Sequence, residues 1–408
     1  MFKPHQRHYL VGFILDCAIM IAMTASPFFI MRQLNGGSTM LGVIAAVQAM
    51  GYAILCLLSQ SFVTRAKHGL NWAVLGVAIC GSCFVVMPFS LNPWVFGALT
   101  GVSMTALALV WPALHSWIGA EPDLARRGRR VSKFNMAWSL GFTVGPLLTG
   151  PLYTSDYHLP FIVGFAFITV TLALLLAAPH ERDYFGEAST EDIAARANHD
   201  RTSEKHLYGA WVATIVANGL IGATRSVFPK QVEDLVVSGN LRWFAEVTAG
   251  PYLPTDAAQA FSWLAFVLSG ATAFTFYVLG RTQFWHHRFS FLVAVQVAGA
   301  VAFAALGNIT SYVLMAVCCV VVGLNLGFCF FAAVYYSLAD PARKHQRLAV
   351  NEGAVGIGGF VGALGTGLLA DRYGMGLPFA GAAVVIAAAV ALEYALTCAG
   401  RRTSSEGV

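Results

Sequence analysis

Among the ionisable and polar side chains of this 408-residue chain, a small number sit where their chemistry needs a reason. Asp16 is the foremost. It stands about seven residues into the first long apolar run, where a carboxylate costs roughly 2.5–3.5 kcal/mol to insert at the centre of a membrane helix. Such a group can load and release protons or contact a solute. The competing reading is a carboxylate that pairs with a neighbouring helix for packing alone. Asn218, Gly222 and Arg225 recur at helical spacing in another run, so they share a face. Arg225 could hold an anionic solute, or, close to the end of its run, extend to the lipid headgroups. Asn325, Phe328 and Tyr335 fall near one face of a further run, and would offer one amide and aromatic walls of the kind that small-molecule sites use. Trp111 and His115 stand one turn apart on another. Glu352 and Glu393 lie near the ends of their runs, where a carboxylate is expected to reach water.

Other chemistries have less support. The string Gly365-Thr366-Gly367-Leu368-Leu369-Ala370 matches a dinucleotide fingerprint, but it sits inside an apolar run with no strand before it. Cys80 with Cys83, His5 with His8 and His286 with His287 each lack a second ligand pair at diagnostic spacing, so neither a metal nor another cofactor is expected. No Gly-x4-Gly-Lys-Ser/Thr loop is present to cradle ATP phosphates. No cluster of His and Asp or nucleophile motif suggests an enzyme.

The elements that carry these residues follow from composition. The chain is 57% hydrophobic and 11% charged, whereas soluble domains carry about 25% charged residues. The apolar residues gather into runs near the ~20 residues that span a bilayer as a helix. Twelve spans are expected: 9–31, 40–62, 70–91, 93–118, 131–153, 159–178, 207–229, 257–280, 289–308, 311–338, 350–370 and 377–398. The net charge of +5 then reflects topology and not nucleic acid. Most basic residues fall in the tails and in alternate loops, which the positive-inside rule places in the cytoplasm together with both termini. All eight cysteines lie within expected spans, so no disulfide framework is needed.

The polar segment His180–His206 separates six spans from six. It gives an N-terminal bundle over 1–178, a cytoplasmic linker over 179–206 and a C-terminal bundle over 207–408. Gly141–Tyr153 reads GFTVGPLLTGPLY and Gly358–Ala370 reads GGFVGALGTGLLA, identical at seven of thirteen positions. Gly141, Gly145 and Gly150 thus correspond to Gly358, Gly362 and Gly367, which suggests a parallel duplication six spans apart. Small residues at these spacings also serve as packing seams in lipid.

With Gly145-Pro146 flanked by Gly141 and Gly150, the chain resembles the major facilitator superfamily over nearly its whole length. The loop between spans two and three reads SFVTRAKHGLN. It keeps basic Arg65 and Lys67 but lacks the acidic residue of that family's cytoplasmic latch; a related stretch, Ala370-Asp371-Arg372-Tyr373-Gly374, follows span eleven instead. The resemblance implies an all-α membrane protein of two pseudo-symmetric six-helix bundles, with spans one, four, seven and ten lining a central cavity. It also implies a secondary transporter that moves a small organic solute by alternating access, with Asp16 the candidate for proton coupling. A monomer in the inner (plasma) membrane is expected, with solute, bilayer lipid and protons as its partners and no nucleic acid. The alternatives are a non-transporting receptor or assembly subunit and a lipid-modifying enzyme. The segment Lys230–Gln259 is long for an outer loop and is expected to form a surface-lying hairpin, with a lid over the mouth as the alternative.

Overall fold

The structure is a computed structural model that describes residues 4–59, 69–119, 124–177, 201–243, 256–339 and 344–405. They form twelve α-helices: α1 (Pro4–Arg32), α2 (Ser38–Ser59), α3 (Gly69–Val86), α4 (Pro93–Gly119), α5 (Leu124–Ser155), α6 (Leu159–Leu176), α7 (Arg201–Val237), α8 (Ala257–Leu279), α9 (Phe289–Leu306), α10 (Tyr312–Leu338), α11 (Lys344–Tyr373) and α12 (Gly376–Ser405). Lipid supplies no hydrogen bonds, so a spanning backbone must satisfy its own polar groups, which a helix does. Eleven of the helices are long and apolar enough to cross a membrane by length and composition alone. The exception is α5, whose first turns carry Arg126, Arg127, Arg129, Arg130 and Lys133 and whose remainder is rich in Gly, Thr and Pro. It is nonetheless packed between α1 and α8.

The expected spans coincide with these helices, with one notable difference. Helix α7 continues through Pro229 to Val237, so Lys230–Val237 is helix and not the start of a loop. Beyond it, Arg242 N–H donates to the Thr310 carbonyl at 2.9 Å and Tyr312 N–H donates to the Arg242 carbonyl at 2.7 Å. The rest of the expected hairpin, 244–255, lies outside the described residues, as do the loop carrying Arg65 and Lys67 and residues 178–200 of the linker.

Within the first six helices, α1 packs on α5 and α6, α3 on α4 and α6, and α2 on α4. Within the second six, α7 packs on α11 and α12, α9 on α10 and α12, and α8 on α10. Between the sets, α2 lies along α11 and α5 along α8. Glycine makes these approaches close. A Cβ at Gly141 would run into the Phe13 carbonyl of α1 and one at Gly145 into Met20 and the Cys17 carbonyl, while Gly358 and Gly362 meet the Ile215 and Gly219 carbonyls of α7 in the same way. Gly150 faces Gln259 and Ser262 of α8, and Gly367 faces Ser38 and Gly42 of α2. Pro146 lacks a backbone N–H and would weaken an exposed helix, but here it lies in a segment clamped by neighbours, with the Thr149 hydroxyl donating across to the Ile21 carbonyl at 3.2 Å.

Contacts bridge the two helix sets at each end of the array. At the end where α1 finishes, Arg32 donates through Nε and Nη2 to Glu233 at 2.9 and 2.7 Å and through Nη1 to Asp256 at 2.7 Å. Its guanidinium also lies over the Phe28 and Tyr153 rings. Beside it, the Asp371 carboxylate accepts from the Ser38 and Thr39 N–H groups at 3.2 and 2.7 Å, which satisfies two of the free donors that begin α2. At the end where α1 begins, the Tyr52 hydroxyl of α2 donates to Glu352 of α11 at 3.0 Å, and Trp138 of α5 packs edge-on to Phe276 of α8 with centroids 5.5 Å apart.

Candidate functional site: a central cavity between the helix sets

Four successive turns of α1 present Asp16, Met20, Met23, Thr24 and Pro27 along one stripe, following the helical period. The last four line a cavity. Helix α7 supplies the facing wall with Ile221, Thr224, Arg225 and Phe228, α8 contributes Phe261, Leu264, Leu268 and Ser269, and α5 and α10 add Phe142 and Cys319. The walls are mainly apolar and aromatic. One guanidinium and three hydroxyls, those of Thr24, Thr224 and Ser269, interrupt them. A few polar groups in an apolar concavity fix a ligand's orientation while its body is desolvated.

Asp16 continues the α1 stripe one turn below Met20. Its residue is 8% exposed, and among the described residues it has neither a hydrogen bond nor an ion pair. Arg225 of α7 stands on the cavity wall with Met20 and Thr24 of the same α1 stripe. Asp16 is buried and Arg225 half-buried, and among the described residues neither has an ion-pair partner within 4 Å. Arg225 thus lies on the cavity wall. Asn218 lies one turn below Ile221 on the α7 stripe, where its amide nitrogen donates to the Thr214 carbonyl at 2.9 Å.

The other candidate residues are placed elsewhere. Asn325 is 2% exposed and faces Gly299 of α9, with the Cys329 thiol donating to its oxygen. It is a packing amide inside the second set of helices. Phe328 packs on Trp285 with centroids 5.9 Å apart, and the Tyr335 ring stacks on His286 at 4.5 Å. Together with His287 and Tyr336 these form an aromatic cluster at the end where α1 begins. Burial and neighbouring His287 hold the His286 imidazole below the ordinary histidine range. Trp111 of α4 meets Phe134 of α5 edge-on and is no part of the cavity wall, while the His115 side chain lies outside the described residues. Of the two glutamates near run ends, expected to reach water, Glu352 is half-buried and Glu393 is fully enclosed. Glu352 accepts from Tyr52, and Glu393 is 0% exposed and accepts from the Gln296 amide at 2.8 Å. The cavity residues not evident from sequence, Thr24, Phe142, Thr224, Phe261 and Ser269, carry no signal that separates them from ordinary span residues. Among the described residues no group of three or more His, Cys, Asp or Glu could hold a metal ion.

The sequence pattern described as Major Facilitator Superfamily matches residues 9–347. A curated relative, the uncharacterised MFS-type transporter YfkF of Bacillus subtilis (strain 168), is 24% identical over 329 residues, 79% of this chain and 77% of that protein. Among solved structures, the nucleoside transporter NupG superposes with a TM-score of 0.72 at 11% identity, covering 97% of this chain and 99% of that one. A structure described under substrate recognition in proton dependent oligopeptide transporters gives 0.71 at 14% identity over 98% of this chain and 99% of its own. An inward-facing, occupied bacterial homologue of the human lysosomal transporter Spinster gives 0.66 at 15% identity over 99% and 98%. At these identities the structural likeness concerns the fold.

Proposed function

The chain belongs to the major facilitator superfamily, and from that premise we propose that its solute is held in the cavity between α1, α7 and α8 and that Asp16 carries a coupling proton. The protein is a multi-pass membrane secondary transporter. It carries small-molecule solute across the bilayer. The observation that supports the proposed site most strongly is the placement of Asp16 and Arg225: opposite charges on helices from different halves, Arg225 on the cavity wall and Asp16 one turn from the wall residue Met20, with no ion pair to either among the described residues. A carboxyl that binds and releases a proton beside a fixed cation changes the charge of the cavity, and hence the cost of closing helices around it.

Two bundles, 1–178 and 207–408 joined by a linker over 179–206, rock about this site in the proposed cycle. The recurrence of the same helix pairs six positions apart supports the duplication, as do the glycine contacts of α5 on α1 and α11 on α7. The charge distribution supports cytoplasmic termini in an inner membrane. The unit is proposed to act as a monomer and to do no chemistry on its cargo. Flux of a solute identified by thermal stabilisation of the purified protein tests the reading. In proteoliposomes, Asp16→Asn should abolish accumulation driven by a pH gradient while sparing solute exchange down its own gradient; unchanged gradient dependence would remove Asp16 from the mechanism.

A further inference from the structure

The chemistry of the cavity narrows what it can hold. An embedded guanidinium is costly unless something negative or strongly hydrogen-bonding meets it. Arg225 reaches the cavity wall, yet no carboxylate among the described residues lies within ion-pair distance of it. Asp16 is set one turn below the wall residue Met20 and, among the described residues, has no hydrogen bond of its own. Thr24, Thr224 and Ser269 stand on the same walls as neutral polar groups. Everything else that frames the space is aliphatic, sulfur-bearing or aromatic, with Phe228 and Phe261 in edge contact at 5.8 Å.

We propose that the solute is a small amphipathic organic monoanion whose acid group pairs with Arg225 while its apolar body fills the space framed by Phe142, Phe228 and Phe261. This assignment rests on the reading of the cavity as the transport site. An Arg fork suits a planar carboxylate, which it can grip through two parallel hydrogen bonds. Charge balance then assigns a role to Asp16. Empty, the pair sums to zero. An anion on Arg225 leaves the Asp16 carboxylate as a second, uncompensated negative charge, and this is relieved when one proton passes from solvent to that carboxylate. Ligand anion plus proton enter together, and the cavity stays neutral. The titratable groups around this exchange are Asp16 and Cys17 on α1, Arg225 on α7 and Cys319 on α10; the wall residues from α5 and α8 are not ionisable.

The test compares ligands that differ only in charge. Purified full-length protein is offered 3-phenylpropanoate, its amide, 3-phenylpropylamine and phenylalanine, and thermal unfolding is followed together with a pH-indicator dye in weak buffer. The acid should raise the melting temperature by about 2 °C or more and take up about one proton per site. The amide, amine and zwitterion should do neither. Arg225→Gln should remove the acid's effect and Arg225→Lys should keep part of it, while Asp16→Asn should keep binding and lose the proton uptake. Equal stabilisation by the amide or amine, stronger stabilisation by phenylalanine, or no stabilisation by the acid overturns the monoanion assignment; the ligand comparison on unaltered protein stands even if Arg225→Gln does not fold. Flux separates this from the underlying reading. An acid that binds through Arg225 but does not cross proteoliposomes contradicts the transport site, whereas a neutral or cationic probe that crosses in an Asp16-dependent way contradicts only the solute class.

Discussion

At the scale of single residues, the groups that matter most are charged and inside. Asp16 was legible in the sequence because a carboxylate deep in an apolar run is expensive, and Arg225 because it shares a helix face with Asn218 and Gly222, although its place near the end of the run also allowed it to reach the headgroups. That their helices share one cavity was not legible, since it depends on how α1 and α7 cross. Asn325 shows the opposite limit: the period puts it near one face with Phe328, yet the face turns toward Gly299 and not the cavity. The Arg32 network could not be read either, because Arg32, Glu233 and Asp256 come from three distant segments joined only at the end of the array where α1 finishes. Removing its hub should be felt. Arg32→Gln leaves two carboxylates without their guanidinium and should cost about 2 kcal/mol, seen as a lower melting temperature, while Glu233→Gln, which leaves the Asp256 contact in place, should cost less. At the opposite end, Tyr52→Phe removes the donor to Glu352 and should cost about 1 kcal/mol in the same measurement.

At the scale of elements, run length and apolarity located the spans because lipid permits few alternatives to a helix. The end of α7 was missed because the apolar run stops at Pro229 and polar Lys230, Gln231, Glu233 and Asp234 follow. In place, the helix runs on past it, with Gln231 donating to the Leu306 carbonyl of α9 and Lys230 paired with Asp234. The glycine series makes a sharper prediction, because two glycines of one helix differ in what surrounds them. Gly358→Ala would push a methyl into the Ile215 carbonyl, whereas Gly365→Ala meets nothing within 4 Å. The first should lose roughly 1–3 kcal/mol through overpacking. The second should be neutral or slightly stabilising, since alanine is the better helix former. Thermal unfolding of the two variants side by side measures this, and equal losses would show that α11 does not lie against α7 as described.

At the scale of the whole molecule, the duplicated GFTVGPLLTGPLY and GGFVGALGTGLLA segments pointed to halves related by six helices, and the packing supplies the physical content: each segment lies against the first helix of its own half and then reaches across to the second helix of the other. Those crossing contacts, α2 along α11 and α5 along α8, join the two halves on either side of the cavity. Transport through it requires that the ends open in turn, with the Arg32 network parting for one and the Tyr52–Glu352 contact for the other. The central claim is therefore that one wall position is reachable from both sides of the membrane, though not at once. The most direct measurement is labelling of Thr24→Cys, in a chain whose native cysteines are replaced by serine, with a membrane-impermeant thiol reagent applied from either side of oriented vesicles. The account predicts labelling from both sides, with Arg32→Gln raising the rate from the side on which α1 ends and lowering it from the other. Labelling from a single side, whatever the variant, would contradict alternating access through this cavity.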